Sequence, residues 1–268
     1  MPVHRPAYCG FSLIELLVVV AIVMLLLSIL LPGLSQARKH AREVFCATNL
    51  RTWAQAFHLY ANDYDGALPH TDDRTRNRPV NAYDPDHPEH ECCYIDVLPP
   101  LMGRKPWRTF AEGGKPTDDI WQCPDARPLP DEAYGLGYEP SVEGYHSYAM
   151  NSYLEHDFSF GQEEGQTEFD PSFLKLNRCQ APGKTLLMFE QTLDPSRTRG
   201  QEGGHKAAGR FTAEDARALA ERHAHLRGQL GANVIMVDGH HEWRNDLWDE
   251  TLEEPRVPVP GDLTWYPY

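Results

Sequence analysis

The chain has 268 residues and an acidic balance, with 39 Asp and Glu against 25 Lys and Arg and a formal net charge of −14. This balance argues against a nucleic-acid partner, because binding to phosphates needs a basic face. The length suffices for one domain with additional segments. The sequence contains no P-loop, no paired-glycine nucleotide fingerprint and no Gly-x-Ser-x-Gly elbow, so none of these chemistries is indicated.

An uninterrupted apolar run extends from Leu13 to Leu31, and its only charged side chain is Glu15. A helix rises about 1.5 Å per residue, so a run of this length crosses a hydrocarbon core of about 30 Å. An acid inside such a run costs about 2.5–3.5 kcal/mol on insertion scales and therefore calls for a partner. The nearest candidate is the α-amino group that a cut between Gly10 and Phe11 would create, one helical turn away. This arrangement points to assembly rather than catalysis.

The eight residues that begin at Gly10, Gly-Phe-Ser-Leu-Ile-Glu-Leu-Leu, resemble the N-terminal signature of type IV prepilins and type II secretion pseudopilins. In that family a membrane peptidase cuts after the glycine and methylates the new N-terminal phenylalanine. The resemblance therefore implies processing at Gly10 and Phe11, and it makes Glu15 the fifth-position acid that acts in assembly. Pro32 falls where many pilins kink their helix.

The resemblance extends over residues 10–66, with softer matches at Cys46–Leu50 and Tyr60–Gly66. It implies four segments along the chain: a leader at 1–10, a transmembrane half-helix at 11–32, an amphipathic half of the same helix at 33–66, and an extracytoplasmic head with long irregular loops at 67–268.

Two other interpretations of the N-terminal segment compete with this one. A secretory signal peptide would be cut after Ser35–Ala37. Two features argue against it: Glu15 lies inside the apolar region, and the run is longer than the usual apolar region of about 7–15 residues. The second competing interpretation is a single-pass membrane anchor that is not cleaved. The basic residues Arg38, Lys39 and Arg42 follow the run, and the positive-inside rule would place that side in the cytoplasm, against the orientation that the resemblance implies.

A helical pattern continues from Leu34 to about Asn62, where apolar residues recur at steps of three and four. These residues are Leu50, Trp53, Ala54, Phe57 and Ala61. The run and this stripe together predict one helix of about 50 residues, on the order of 75 Å long. The predicted fold class is α+β and pilin-like: one long N-terminal helix, its apolar half membrane-spanning, packs through its C-terminal half on a small antiparallel sheet.

The head shows fewer periodic stretches. Short helices or strands are predicted near Tyr94–Leu101 and Trp107–Ala111, and strands at Tyr145–Asn151 and Thr185–Gln191. Thr212-Ala-Glu-Asp215 predicts a helix start, with the helix continuing to about Leu226. Further strands at Asn233–Val237 and His240–Trp243 flank Asp238-Gly239, which suits a two-residue hairpin turn.

A second resemblance lies in the C-terminal part. Ser147–Asn151, Pro182–Met188 and Asp238-Gly239-His240 resemble a prepilin-like bacterial family with a His-then-Asp-Gly C-terminal signature. That family places nine residues between its histidine and its Asp-Gly pair. Here Gly228 fills this position, and the nearest histidine is His225, with twelve residues between.

The head contains only weakly supported candidates for metal-binding or catalytic sites. His87-Pro-Glu-His90-Glu-Cys92-Cys93 offers only half of a zinc site, and the other half would have to come from His223, His225, His240 or His241. Asp63-Tyr-Asp65-Gly66 lacks the glutamate of a calcium loop and suits a helix-ending turn. His223 and His225 could form a catalytic triad with Glu190, Asp194 or Asp238. Any acidic domain that contains histidines permits such a grouping, so it indicates no catalytic site. We therefore expect no catalytic residue, no cofactor and no bound metal.

The cysteines indicate crosslinks if the head lies outside the cytoplasm. Cys9 leaves with the leader, and the mature chain keeps Cys46, Cys92, Cys93, Cys123 and Cys179. Oxidising conditions favour disulfides there, with Cys92 and Cys93 each reaching a different partner and Cys123 and Cys179 as the expected partners. Spacing does not determine the connectivity.

The sequence thus predicts a non-enzymatic pilin-like or pseudopilin-like subunit in the bacterial inner membrane, processed by prepilin peptidase and assembled into a type IV pilus or type II secretion-type filament. Its expected partners are the peptidase, other pilin or pseudopilin subunits and the membrane, with no nucleic acid. The alternative is a membrane-tethered extracytoplasmic binding protein, including a metal-binding one, that uses the leader for export.

Overall fold

The computed structural model describes ten segments of the chain: residues 12–69, 94–107, 119–134, 144–151, 154, 175–197, 212–213, 218–224, 229–245 and 263–265. The chain divides into two compact units, Met1–Ala41 and Arg42–Tyr268. The second unit holds every strand among the described residues, and we call it the head unit.

Helix α1 spans Leu13–Asp63 and confirms the prediction of one long helix. Within the first unit its apolar side chains are exposed all round, from Leu13 at 80% to Leu34 at 49%. Among the residues that the structure describes, α1 is the helix that is long and apolar enough to cross a membrane. Its most apolar stretch has a mean hydropathy of 3.1. The helix is continuous through Pro32, and a kink there stays a prediction.

Within the head unit α1 is amphipathic. The predicted stripe of Leu50, Trp53, Ala54, Phe57 and Ala61 is buried along its whole length. The helix ends as predicted in a turn at Tyr64–Gly66, where Asp65 and Gly66 take φ values of 54° and 83°. The Asp65 carboxylate pairs with Lys175, which favours the turn over a calcium loop.

The sheet of the head unit contains β1 (Tyr148–Asn151), β2 (Leu186–Glu190), β3 (Thr212–Ala213), β4 (His223–Ala224), β5 (Leu230–Met236) and β6 (His241–Arg244). The strand order is β3-β1-β2-β5-β4, and β6 also pairs with β5. The pairs β1–β2, β2–β5, β4–β5 and β5–β6 are antiparallel, and β1–β3 is parallel. The prediction of a small antiparallel sheet is confirmed, apart from that parallel pair.

The sheet is covered on both faces, because side chains alternate along each strand. On one face Tyr148, Met150 and Met188 belong to the cluster of α1 and of α2 (Tyr94–Leu101), a helix where the sequence left helix and strand open. Trp53 of α1 is at the centre of that cluster, with its ring 5.1 Å from Trp121 and its Nε1 donating to the Ile120 carbonyl at 3.0 Å.

The other face carries a second apolar cluster. Its members include Phe189 of β2, Val234 of β5 and Trp265, whose ring lies 5.2 Å from Phe189 in an edge-to-face arrangement. Thr264 pairs with Thr185 in a parallel bridge, so this short C-terminal segment extends the sheet at β2.

The predicted helix from Thr212 to Leu226 is wrong. Thr212–Ala213 and His223–Ala224 are strands, and Ala218–Ala220 is buried against the end of β2. There Ala220 N donates to the Glu190 carbonyl at 2.8 Å, and Thr192 N donates to the Ala218 carbonyl at 2.6 Å. These bonds to β2 satisfy the backbone of an alanine-rich stretch whose intrinsic preference is helical, a case of tertiary pairing overriding local propensity.

The hairpin at Asp238-Gly239 is confirmed, but its turn is longer than predicted. β5 ends at Met236 and β6 begins at His241, with Met236 N donating to the His240 carbonyl at 2.9 Å. Gly239 alone takes a positive φ in the turn, at 89°. A four-residue loop, residues 237–240, with a left-handed glycine at its third position replaces the two-residue turn.

Candidate functional site

The start of α1 is closed by a reciprocal pair of hydrogen bonds. Ser12 N donates to Glu15 Oε2 at 2.8 Å, and Glu15 N donates to Ser12 Oγ at 3.2 Å. This is a capping box, which satisfies two of the backbone N–H groups that a helix start leaves open. The Ser-x-x-Glu spacing is visible in the sequence, although the sequence interpretation assigned Glu15 to assembly alone. Glu15 therefore has a structural role before any neighbouring subunit is considered.

The other predicted processing and crosslinking residues fall into two groups. Gly10, Phe11, Cys92 and Cys93 lie outside the described residues. Cys123 and Cys179 are described, and both are buried free thiols.

Cys123 and Cys179 have different neighbours. Cys179 Sγ donates to Thr185 Oγ1 at 3.3 Å, whereas Cys123 lies against Cys46. A disulfide involving Cys92 or Cys93 stays a prediction. The contact between Cys46 and Cys123 was not anticipated.

Four buried side chains with metal-binding atoms converge in the head unit. Cys46 comes from α1, Cys123 follows the 3-10 helix Asp119–Trp121, Glu190 ends β2, and His223 begins β4. One sulfur, nitrogen or oxygen atom from each lies within 4.8 Å of the others. We call this group the head cluster.

The contacts within the head cluster form a chain. The Cys46 thiol donates to Cys123 Sγ, with the two sulfurs 2.7 Å apart, and Cys123 Sγ lies 3.3 Å from His223 Nε2. His223 Nε2 lies 2.8 Å from Glu190 Oε1. All four residues are buried, so water does not screen these interactions as it would at the surface.

Each element brings its residue to the cluster for a local reason. Cys46 lies on the same buried face of α1 as Leu50 and Trp53. β4 pairs antiparallel with β5, His223 opposite Gly231. A Cβ atom at Gly231 would approach the Arg244 carbonyl of β6 to 2.4 Å, so glycine is required for the close approach of β6 to β5 at this position.

Neighbouring residues hold the cluster's ends. Asn233 donates to Glu190 Oε2 from its backbone N at 2.7 Å and from Nδ2 at 3.1 Å. On the other side of the imidazole, His223 Nδ1 lies 3.6 Å from Asp125 Oδ2, and Asp125 Oδ1 lies 2.5 Å from Arg42 Nε. Thus Oε1 of Glu190 and Nε2 of His223 are directed at the cluster, while their second polar atoms are engaged elsewhere.

The cluster shifts the pKa values of its members. Burial alone would lower the pKa of His223, but its hydrogen bonds with Cys123 and Glu190 outweigh burial and raise that pKa to about 10. Burial would raise the pKa of Glu190, but the hydrogen bond and charge of His223 leave it lowered. The Cys46 hydrogen bond lowers the pKa of Cys123 to about 5, and the same contact raises that of Cys46. Negative charge therefore concentrates on Cys123 and Glu190, facing a cationic His223.

The other histidines named from the sequence lie elsewhere or outside the described residues. His240 pairs with Asp238 at 2.7 Å and with Glu242 at 3.2 Å on the exposed hairpin. His241 Nε2 lies 2.8 Å from Asn233 Oδ1. His87, His90 and His225 are not described.

Comparison with known proteins gives one match. Residues 5–31 match the family model described as the prokaryotic N-terminal methylation motif. No curated protein and no solved structure matches the chain. The second resemblance, to a family with a His-then-Asp-Gly signature, is not confirmed and stays a prediction.

The match supports one class of protein. The chain carries a prepilin-type N-terminal methylation motif that leads into a long apolar helix, which supports a processed subunit of the type IV pilin or pseudopilin kind, anchored by a single membrane pass. The motif belongs to structural subunits rather than enzymes, and it implies processing by a prepilin peptidase.

Proposed function

We propose that this chain is a pilin-like or pseudopilin-like structural subunit that enters a type IV pilus or a type II secretion-type filament after prepilin peptidase removes residues 1–10. The observation that carries the proposal is the methylation motif at residues 5–31, continuous with an α1 segment whose apolar side chains are exposed all round. A helix that is apolar on every side is stable only in lipid or among other helices.

The mechanism is one of helix packing. The helix anchors the precursor in the inner membrane, with the head unit on the extracytoplasmic side. Cleavage after Gly10 makes Phe11 the new N-terminus, next to the capping residue Ser12. As subunits leave the membrane, their helices pack side by side, and Glu15 meets the amino terminus of a neighbour.

The Glu15 pair sets the axial register between subunits. A charge that is buried without its partner in a low-dielectric bundle is costly, so a misaligned helix leaves Glu15 uncompensated. In the monomer Glu15 accepts from its own Ser12 backbone. Assembly would therefore exchange or share this capping contact with the neighbour's ammonium group.

Intact mass and fractionation test the proposal together. The protein is purified from the membranes of cells that contain a prepilin peptidase, and in parallel from the sheared surface fraction. We expect a mature chain that begins at Phe11 and carries one added methyl group, with crosslinked multimers in at least one fraction. A chain that keeps residues 1–10, or a processed chain that crosslinks only as a monomer, would contradict the proposal.

The second candidate function is a membrane-tethered extracytoplasmic metal-binding protein that uses the leader for export. The head cluster favours it, because Cys46, Cys123 and His223 supply donor atoms typical of transition-metal sites. The crosslinking above discriminates the two functions: a tethered binding protein is processed but stays monomeric.

A further inference from the structure

We infer that the head cluster is a structural zinc site, with Cys46 Sγ, Cys123 Sγ, His223 Nε2 and Glu190 Oε1 as its four ligands. The inference does not depend on the proposed function, because every ligand belongs to the head unit and none to the motif at residues 5–31.

The donor set selects the metal. Thiolate and imidazole ligands suit zinc and other late transition metals, whereas calcium and magnesium take oxygen ligands. Zinc accepts cysteine sulfur, histidine nitrogen and carboxylate oxygen in a tetrahedron. The head cluster offers two sulfurs, one nitrogen and one oxygen, which fill four positions. A buried site with four protein ligands leaves no position for a substrate, so it is structural rather than catalytic.

The four ligand atoms lie within 4.8 Å of one another, and three of the distances between them are close contacts. With zinc–ligand bonds of about 2.0–2.3 Å, neighbouring ligand atoms lie about 3.3–3.8 Å apart. The sulfur-to-imidazole distance of 3.3 Å is already close to this value. The 2.7 Å between the sulfurs and the 2.8 Å between His223 and Glu190 must each increase by up to about 1 Å. Small side-chain rotations supply such movements.

The surroundings of the cluster are those of a metal site as well. A metal-binding histidine commonly presents its second ring nitrogen to a carboxylate, which fixes the orientation of the ring. The Asp125 carboxylate lies on that side of His223, with Oδ2 3.6 Å from Nδ1, at the distance of an ion pair rather than of a hydrogen bond. Asn233 holds the distal oxygen of Glu190 with two hydrogen bonds and so turns Oε1 toward the cluster. A disulfide between Cys46 and Cys123 would need neither of these two contacts, whereas a metal site uses both.

Zinc would stabilise the arrangement of the head unit. The ligands come from α1, the segment after Asp119–Trp121, β2 and β4, so a single ion fixes the amphipathic part of α1 on the sheet. The ion takes the place of the proton on the Cys46 thiol and of the proton on His223 Nε2, and both protons pass to solvent. No change in oxidation state is involved.

Metal content provides the first test. The full-length protein is purified in detergent without chelator or reductant, and zinc per chain is measured by mass spectrometry. We expect one zinc ion per wild-type chain and at least about a tenfold loss in Cys123→Ser and His223→Ala. Cys179→Ser is the matched control, because it removes a buried thiol that contacts Thr185 outside the cluster. It is expected to keep its zinc.

Thiol chemistry on the wild-type protein tests the same inference without a variant that must fold. If zinc is bound, Cys46 and Cys123 resist alkylation until a chelator is added, and no reductant is needed. If they form a disulfide, only a reductant exposes them, and the chain carries no zinc. The second result would overturn the inference, as would two thiols that react at once.

Cobalt substitution tests the ligands. A Co²⁺-loaded chain should show tetrahedral cobalt absorption with thiolate charge-transfer bands, reduced by about half in Cys46→Ser. Asp125→Asn should keep these bands but weaken zinc affinity by about 10–100-fold in a chelator competition, since Asp125 acts through His223. Octahedral cobalt without thiolate bands, or an Asp125→Asn chain with unchanged affinity, would contradict the assigned geometry.

Discussion

His223 Nε2 lies 2.8 Å from Glu190 Oε1, and both side chains are buried, at 2% and 0% exposure. The pair joins β4 to the end of β2, two strands that do not pair with each other directly. Burial opposes both charges, so the pair is sustained by mutual attraction and by the hydrogen bonds of Asn233 and Cys123.

We expect a strong asymmetry between single and double replacement of this pair. His223→Gln leaves the Glu190 carboxylate buried without its cation, and the loss of stability should be about 3–5 kcal/mol. The double variant with Glu190→Gln removes both charges and should recover part of that loss. Urea unfolding of the chelator-treated full-length protein in detergent measures the stability of His223→Gln, of Glu190→Gln and of the double variant. If the loss of stability in the double variant equalled the sum of the losses in the two single variants, the two groups would not interact.

Glu15→Leu separates anchoring from assembly. Replacing the acid with Leu removes an insertion cost, so the variant should enter the membrane and be cleaved normally. It should nevertheless fail to crosslink with wild-type subunits, because a neighbour's amino terminus loses its partner, at a cost of about 3–5 kcal/mol.

Ser12→Ala is the matched control for Glu15→Leu. It removes the hydroxyl that accepts from Glu15 N but keeps the carboxylate. The loss of this capping hydrogen bond should destabilise the start of α1 by about 0.5–2 kcal/mol, but co-assembly with wild-type subunits should persist. If Ser12→Ala and Glu15→Leu fail equally, capping rather than the intersubunit pair explains the role of Glu15.

Gly10→Val should block maturation, because the peptidase that this motif implies requires a small residue before the cut. The precursor should accumulate in the membrane with residues 1–10 attached, as intact mass would show. Gly33→Ala is the control, since a Cβ atom there meets nothing within 4 Å and the residue lies beyond the motif. Normal cleavage of Gly10→Val would refute the assigned processing site.

Trp53→Ala should be among the most destabilising changes in the head unit. Trp53 is 1% exposed, packs against Trp121 and Tyr94, and donates to the Ile120 carbonyl. Removing such a side chain costs about 3–5 kcal/mol. Leu59→Ala, on the exposed side of the same helix, should change the free energy of unfolding by less than about 0.5 kcal/mol. Chemical denaturation of both variants checks the difference.

His146 should make the head unit less stable in mild acid. Burial beside Trp107 and Trp121 holds the pKa of His146 well below its usual value, so the folded chain keeps the imidazole neutral. Below about pH 6.5 the unfolded chain binds a proton that the folded chain does not. Stability is therefore lost as pH falls from 6.5 to 5, by up to about 2 kcal/mol.

The pH dependence of unfolding for His146→Phe checks this expectation. The variant should flatten most of the slope and leave the smaller share of His241, whose pKa burial also lowers. Trp107→Phe alters the packing around the same ring without removing a titrating group, so it should keep the slope. An unchanged slope in His146→Phe would show that the buried imidazole is protonated in the folded state.

Local patterns were sufficient for the elements whose stability comes from their own sequence. α1 was predicted nearly to its ends, because its first half is apolar throughout and its second half repeats apolar residues at helical spacing up to Ala61. The buried strands β1 and β2 were recognised for similar reasons, whereas the sequence left helix and strand open at Tyr94–Leu101. The capping box at Ser12 and Glu15 was also readable from spacing alone.

The segment from Thr212 to Ala224 shows where local reading fails. Its alanines and its Thr-x-x-Asp start favour a helix. In its described residues, 212–213 and 218–224, the backbone is instead paired with β1, with the end of β2 and with β5. Local propensity differs by fractions of a kcal/mol per residue, and a strand that completes a sheet gains more through pairing and burial.

By itself the sequence determined the prepilin-type methylation motif and the long apolar helix, since both depend on a contiguous stretch of residues. The head cluster was decided only by the tertiary structure. Cys46, Cys123, Glu190 and His223 lie far apart in the chain and share no spacing rule. The packing of α1 on the sheet and the pairing of β4 with β5 bring their polar atoms within 4.8 Å, because contacts between distant residues follow from how buried surfaces fit together.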